Sequence, residues 1–559
     1  MKVLKTLCVF CIFLVPLSLA GQEENDSTKW WKKISVNGSI QSDILIPIGN
    51  QDDGSHENFR TNTFAEVSLR SLHVDAGLRM EYLEHPLPGF EKDYKGWGFP
   101  YFYIKGKLGS AELTIGSFYD QFGSGLIYRT YEERSLGIDN SLLGARLSFN
   151  PIIGVSIKAL TGKQRCYWEH NDSWITGVDT EFRLNDWIKG LNNQGTSISL
   201  GASWVNKYEN ENNDEVYLDP TKKLALPKFV NAFDVRLKFQ KKGLNILSEY
   251  ALKTQDPSFD NDYIYRKGYV TMLSASFSQK GFSFLVQAKR SDNFSFRSKR
   301  SATGTSSYIN YLPAFTEDQT YTLAALYPYA TNPIGEWAYQ GQVGYYFKKK
   351  TTFGGKYGMR VKLNFSHIHA IQQTQHGMIT SDNQYIVGKG TKGYGSAFWK
   401  WGDETYYQDF DIQIEKRINR NFKINLMYMN QYYNKTIIEG EGGMVHSDIF
   451  VFDGLYSISK NTKIRSEIQY LSTKNDVGDW AFGLVELSLP PHWLFSLSDT
   501  WNCGVTNAHY WQINATYNLG SHRMQLGWGR TRAGYNCSGG VCRYIPETKG
   551  FTFSYNYNF

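Results

Sequence analysis

The last nine residues of the chain alternate strictly between aromatic and polar side chains. The aromatic residues are Phe551, Phe553, Tyr555, Tyr557 and Phe559, and the residues between them are polar. Because successive side chains of a β-strand point to opposite faces, this segment predicts a strand with one aromatic and one polar face. Such a strand needs an apolar medium on one side and water on the other.

The same alternation recurs from one end of the chain to the other, for example from Leu72 to Tyr82, from Phe233 to Gln240 and from Trp511 to Leu519. A half-buried soluble sheet also alternates. Many such strands without helical periodicity between them favour one large barrel instead. Short turn signals and longer connections follow each other, which is typical of outer-membrane barrels with short periplasmic turns and long extracellular loops.

The predicted fold is therefore all-β, a single antiparallel transmembrane β-barrel. Short turns near Ser71, Gly109, Ile152, Lys189 and Lys350, with six clearer ones, give about 24 strands, within roughly 20–28. Composition agrees, since 16% of residues are aromatic and the mean hydropathy is −0.44. Alternating strands escape hydropathy detection. The formal charge of +7 is small for 559 residues and forms no basic stripe, so nucleic-acid binding is not expected.

The ends of the chain predict export. Residues 1–20 have a positive start and a short apolar core, which indicates a signal peptide rather than the alternative, a membrane anchor. We expect a periplasmic tail at 21–32 and the barrel at 33–559. We expect no plug-sized domain before the first strand, so either external loops or a partner would fill the wide lumen.

The aromatic final strand resembles the terminal signal that the barrel-assembly machinery recognises. That machinery, outer-membrane lipids and lipopolysaccharide are the expected partners, together with an envelope protein as a further possibility. Motifs for a serine nucleophile, a zinc protease and a phosphate-binding loop are absent from the sequence, so we predict neither an enzyme nor a cofactor. An enzyme active site whose residues come from separate strands would leave no such motif in the sequence.

Loop 119–139 is the candidate constriction loop. It could fold into the lumen and line a narrow point with charges of both signs, or remain outside with local ion pairs. Its candidate residues are Arg129, Tyr131, Glu132, Glu133 and Arg134. The candidate lumen-facing residues are Asp75, Arg79, Glu81, Asp234, Arg236 and Lys238. The alternative for this second set is that the charges only hydrate the barrel interior.

Cysteines, histidines and aromatic residues give weaker hypotheses. Cys537 and Cys542 are the favoured disulfide pair, although four cysteines after residue 20 leave other pairings open. His367 and His369 are weak metal candidates, with an interfacial aromatic role as the alternative. An interfacial girdle is one expected role for a set of aromatic residues, and a sugar-stacking platform is the alternative. The set is Trp97, Phe99, Tyr101, Tyr103, Trp399 and Trp401. The aromatic loop 308–337 is the expected place for glycan or partner contact.

Several stretches resemble an uncharacterised outer-membrane protein family of the Bacteroidota: residues 87–93, 96–98, 129–139 and 540–546. The resemblance implies a barrel without an assigned activity, and it carries over no site residues. Three functions stay open. The first is a channel or uptake barrel for polar solutes, the second is a scaffold or receptor for envelope proteins, and the third is an outer-membrane hydrolase.

Overall fold

The structure is a computed structural model that describes residues 34–49, 57–210, 215–379 and 385–559. Within these residues, twenty-four long strands, β1 to β24, form one antiparallel sheet. In chain order they are Ser35–Pro47, Arg60–Arg70, Val74–His85, Gly96–Leu108, Ala111–Phe118, Leu142–Phe149, Val155–Cys166, Trp174–Arg183, Thr196–Tyr208, Phe229–Lys241, Leu244–Lys253, Gly268–Gln279, Phe282–Asp292, Gly335–Phe347, Met359–Ile371, Trp401–Arg417, Phe422–Asn434, Met444–Ser459, Thr462–Ser472, Trp480–Leu489, Trp493–Asn502, His509–Leu519, His522–Thr531 and Thr548–Asn558.

The sheet closes on itself because β24 pairs with β1. The register runs from Ser39 opposite Asn558 to Pro47 opposite Gly550. Below this ladder, the backbone N–H of Gly38 donates to the carbonyl of Phe559 at 3.0 Å. The N–H of Phe559 donates to the carbonyl of Gly38 at 2.9 Å. Closure pairs the edges that a bilayer would not tolerate. The predicted all-β antiparallel barrel of 24 strands is confirmed.

Connections after even-numbered strands lie at one end of the barrel, and connections after odd-numbered strands lie at the other. All eleven turn positions predicted from the sequence fall in the first set, where Gly520 and Ser521 alone join β22 to β23. The second set is longer and includes 119–141, 293–334 and 532–547. This asymmetry is typical of outer-membrane barrels, with short periplasmic turns and long extracellular loops.

Short elements lie in the connections between the barrel strands and are not part of the wall. The short strands are Glu132–Glu133, Ile138–Asp139, Glu169–His170, Tyr217–Asp219, Lys222–Lys223, Thr374–Gln375, Met378–Ile379, Tyr385–Ile386, Tyr394–Gly395, Gly534–Ser538 and Val541–Ile545. The helices are Lys92–Tyr94, Leu184–Asp186, Lys189–Asn193, Phe259–Asn261 and Lys435–Glu439. In the described part of the chain, no helix has the length and apolar character that a membrane span requires. The expected signal peptide and the whole of the expected tail lie outside the described residues.

The two faces of the barrel have opposite chemistry. On β3, Leu78 is 47% exposed whereas its neighbour Arg79 is 2% exposed. The apolar face therefore points outward and the charged face points into the lumen. Burial of inward-facing charges across a wide barrel requires other segments inside it, since a 24-strand ring by itself encloses an open space.

The expected girdle position is wrong for Tyr101 and Tyr103 of β4. Two residues of β4, Phe99 and Pro100, lie opposite one residue of β3, which is a β-bulge. The extra residue reverses the side on which later side chains lie. Trp97 and Phe99 are exposed, but the ring of Tyr101 lies against the buried Arg79, with the guanidinium 4.8 Å from the ring centroid. Tyr101 and, two residues later, Tyr103 thus face the lumen.

Candidate functional site

Loop 119–141 enters the lumen and reaches the inner face of β11. The backbone N–H of Ser124 donates to Glu249 of β11 at 3.2 Å, and the Ser124 hydroxyl donates to the same carboxylate. The ring of Phe122 lies where a side chain at Gly177 of β8 would otherwise be. Glycine at this inward position is what lets the loop pack against the wall.

Buried ion pairs fasten the loop to strands β3 and β7. The Arg79 guanidinium lies 2.8 Å from Glu81 and 2.9 Å from Glu132, and it also contacts Asp139. Arg165 binds Glu81 through two hydrogen bonds of 2.9 and 2.7 Å and lies 2.6 Å from Asp139. We call these five residues the loop latch. Buried charges are tolerated only when they are paired in this way.

The electrostatics of the latch keep its loop side charged. Burial raises the pKa of the Asp139 carboxyl, but Arg165 and Arg79 outweigh burial, so this pKa lies below its ordinary value. Asp139 is therefore ionised at neutral pH. Burial dominates at Glu132 and raises the pKa of its carboxyl in spite of Arg134 and Arg79.

The other predicted loop residues occupy different surroundings. Arg134 lies 2.6 Å from Glu132 and donates to Gln41 of β1 at 3.0 Å. The Arg129 guanidinium lies between two rings, 4.5 Å from the centroid of Tyr131 and 4.1 Å from that of Tyr311. The Glu133 carboxylate accepts hydrogen bonds from Ser135 within its own turn.

The predicted lumen residues form separate groups. Asp75 pairs with Lys107 at 2.7 Å on the β3–β4 wall. Arg236 of β10 contacts Asp179 at 2.6 Å and Asp234 at 3.1 Å. Lys238 belongs to the same inward face and pairs with Glu181, but its side chain is 45% exposed. The structure thus brings Arg79 and Glu81 to the loop latch, while Asp75, Asp234, Arg236 and Lys238 lie apart from it.

Loop 293–334 is the larger segment inside the barrel. Its first half packs Phe294, Phe296 and Ile309 against loop 119–141 and the inner faces of β7 to β12. Its second half packs Tyr321, Leu323 and Leu326, among others, against the inner faces of β14 to β20. The two loops therefore give the lumen an apolar core of its own.

The sequence-based expectation for loop 293–334 was wrong. It assigned the aromatic stretch to external glycan or partner contact, yet Tyr327 and Tyr329 are each only 4% exposed. The Tyr327 hydroxyl donates to Asp476 at 3.0 Å, and its carbonyl accepts from Gln431 at 3.0 Å. One signal was available, because residues 321–329 form a long apolar run that an external loop could not leave in water.

A hairpin within loop 532–547 covers both inner loops. Its strands, Gly534–Ser538 and Val541–Ile545, are joined by the Cys537–Cys542 disulfide. At its tip, the carbonyl of Gly539 accepts from the Tyr311 hydroxyl at 2.9 Å, and the carbonyl of Gly540 accepts from the N–H of Thr331 at 2.9 Å.

We expect a double variant, C537S with C542S, to assemble a normal barrel whose hairpin is more easily cleaved by protease. The disulfide closes a short loop outside the barrel wall, so its loss costs about 2 kcal/mol of local stability. Limited proteolysis and the heat-dependent gel mobility of the folded barrel measure the two effects. Loss of barrel assembly in this variant would contradict the expectation.

One sector of the lumen is left unfilled. A cavity of about 620 Å³ runs along the inner faces of β20 to β24 and β1. Thr322 of loop 293–334 and part of loop 532–547 border it on the inner side. Residues 119–141 do not line this cavity.

Four polar side chains of this sector face the cavity without a protein partner among the described residues. Ser498, Thr500, Gln512 and Thr552 line the cavity. Their side chains form no hydrogen bond to any other part of the chain that the structure describes. In the filled sectors, many inward polar groups are linked to each other, as Gln340 is to Asn364 at 3.0 Å, and others, such as Thr114 and Ser291, are enclosed. Groups without protein partners in a cavity are available to water or to a solute.

The histidine pair lies on the outward-facing side of β15, where His369 is covered by neighbouring rings and only 3% exposed. The rings of His367 and His369 are 5.3 Å apart, and His369 lies 4.8 Å from Trp401 and 5.9 Å from Tyr339. Among the described residues, no group of three or more His, Cys, Asp or Glu side chains is arranged to hold a metal ion. The surroundings of the pair are those of an interfacial aromatic cluster.

Comparisons with solved structures find chains that match most of this one at low sequence identity. The siderophore receptor PirA from Pseudomonas aeruginosa is 10% identical, with 94% of this chain and 80% of that chain covered and a TM-score of 0.39. The P pilus usher PapC translocation pore is 10% identical over 94% and 99%, with a TM-score of 0.42. OccAB3 from Acinetobacter baumannii is 9% identical over 94% and 99%, with a TM-score of 0.35.

Sequence comparisons say less about activity. No functionally curated protein matches the sequence. A family model described as a family of unknown function matches residues 1–559.

Proposed function

The chain belongs to that family of unknown function, DUF6029, and we propose that it is an outer-membrane barrel that passes small polar solutes through the unfilled sector of its lumen. Its own loops take the place of a separate plug and restrict the passage. The wall made by β20 to β24 and β1 forms one side of the route.

The observation that carries this proposal is the open cavity and the polar side chains that line it without a partner in the described part of the chain. Elsewhere in the lumen, inward polar side chains either pair with each other, as Gln340 does with Asn364, or are enclosed, as Thr114 is at 3% exposure. The side chains of Ser498, Thr500, Gln512 and Thr552 have no such partners among the described residues. Polar groups of this kind favour a hydrated route.

The size of the passage follows from the loops. Loops 119–141 and 293–334 remove most of the cross-section that 24 strands would enclose. A cavity of about 620 Å³ suits solutes of the size of small metabolites rather than polymers. We therefore propose a narrow passage rather than a wide, water-filled pore.

A scaffold or receptor role is the alternative. It would use the long external loops, but the most aromatic of them is buried inside the barrel. A hydrolase is the third hypothesis, and we expect the purified protein to lack lipase and protease activity. Recovery of a stoichiometric envelope partner from solubilised membranes, without any conductance of the pure barrel, would favour the scaffold.

The purified barrel is expected to conduct ions in planar bilayers in small, discrete steps. Small steps follow from the loop-filled lumen, since a wide pore of this strand number would give large ones. The heat-denatured protein is the control. Absence of conductance in a sample that keeps its folded gel mobility would overturn the transport proposal.

A further inference from the structure

We propose that the unfilled sector binds neutral, polyhydroxylated solutes of the size of small saccharides. This inference rests on the proposed passage and names the class of solute that it favours. The chemistry of the cavity lining carries it.

Apart from Arg532, the hydrogen-bonding groups that the lining leaves free are neutral. The hydroxyls of Ser498, Thr500 and Thr552 can each donate and accept, and the amide of Gln512 can do both at once. Neighbouring strands bring them together, because Thr500 pairs with Tyr510 and Ser498 pairs with Gln512 across β21 and β22. A cluster of bifunctional neutral groups matches a solute whose hydroxyls also donate and accept.

Aromatic rings lie beside these groups at the same level of the barrel. Thr500 pairs with Phe482 of β20 on one side and with Tyr510 of β22 on the other. Both rings line the cavity. An aromatic surface next to convergent polar groups is a common composition of small-molecule sites. The C–H faces of a sugar ring suit it, because they are apolar while the ring edge is polar.

Two of the three charged groups of the lining, Asp43 and Arg530, are already engaged. The Asp43 carboxylate accepts from the Ser554 hydroxyl at 2.6 Å and from the Gln41 amide at 2.9 Å. The Arg530 guanidinium donates to Glu547 at 2.5 Å and lies over the Tyr510 ring at 4.8 Å. A charged solute would lose hydration in this space without finding a free opposite charge at these two positions. A neutral hydroxylated solute would not incur that cost.

Arg532 is the group that argues the other way. It lines the outer part of the cavity, and no salt bridge joins it to an acid among the described residues. Its Nη1 donates to the carbonyl of Ala533 at 3.0 Å. An anionic solute could bind there, so the experiment includes an anion of matched size.

Liposome swelling with glucose, gluconate and glucosamine tests the inference, since the three are similar in size and differ in charge. We expect glucose to enter fastest. In planar bilayers, we expect maltose to block the ion current in a saturable manner. Faster entry of gluconate, or equal entry of all three solutes without any block by maltose, would overturn the inference and leave the passage standing. No entry and no conductance would instead overturn the proposed function.

Matched variants locate the binding groups. T500V removes one hydroxyl of the lining while keeping the shape of the side chain, and we expect the half-blocking maltose concentration to rise roughly threefold to tenfold. T516V makes the same change on the inward face of β22, where Thr516 is buried and does not line the cavity. It should leave the block unchanged. Equal effects of both variants, or of neither, would contradict binding at this cavity.

Discussion

S498W is expected to reduce solute passage and ion conductance to near background. Ser498 lies on the inward face of β21 and lines the unfilled sector. A tryptophan there adds one of the largest side chains to a cavity of about 620 Å³ that loops already border on the other side. Planar-bilayer conductance and liposome swelling measure the loss.

The neighbouring residue supplies the control for this variant. Leu497 is 54% exposed on the outer apolar face, so the same substitution, L497W, adds a ring that the membrane accepts. We expect it to conduct as the native barrel does. Both variants should keep the heat-dependent gel mobility of a folded barrel. If S498W conducts normally while folded, solutes do not pass along β20 to β24.

R79A is expected to act in the opposite direction by releasing loop 119–141. The change leaves Glu81, Glu132 and Asp139 close together with one fewer cation, and removing one partner of a buried ion pair typically costs about 3–5 kcal/mol. Arg165 still holds Glu81 and Asp139, so the wall should remain while the loop loosens. We expect larger and noisier conductance steps, and new trypsin cleavage after Arg129 or Arg134.

An exposed ion pair on the same inward surface is the matched comparison. Lys238 pairs with Glu181 at 3.2 Å, but both side chains reach solvent, and such pairs contribute about 0–1 kcal/mol. K238A should therefore keep the native step size and resist trypsin in loop 119–141. If R79A also behaves in this way, the loop latch does not hold the loop, and packing of residues such as Phe122 and Leu126 must hold it instead.

Combining S498W with R79A tests the wall of the passage and the loop inside it separately. A block at Ser498 that persists when Arg79 is also replaced would mean that the released loop opens no second route. Restored conductance in the double variant would mean that the lumen opens on the side of loop 119–141. The double variant therefore shows whether loop 119–141 limits passage.

The architecture of the wall was predictable from the sequence because it depends on local rules. Side chains alternate with a period of two in any strand, and one buried or lipid-facing side fixes which residues point outward. The alternation from Phe551 to Phe559 and the eleven short turns were enough to predict the class, the closure and the strand number. The predicted pairing of Cys537 with Cys542 also depends on local spacing, and the structure forms this disulfide.

The contents of the lumen were decided by the tertiary structure. A single inserted residue at Pro100 moved Tyr101 and Tyr103 to the inner face, and no periodicity reveals a bulge in advance. Loop 293–334 was expected outside, but its apolar run lies inside because inward faces of strands far away in sequence leave room for it. The partners of Arg79 come from β3 and loop 119–141, and those of Ser124 from β11. Wall geometry depends on residues that are neighbours in the chain. Loop placement depends on which inward strand faces, distant in sequence, lie opposite one another once the barrel closes.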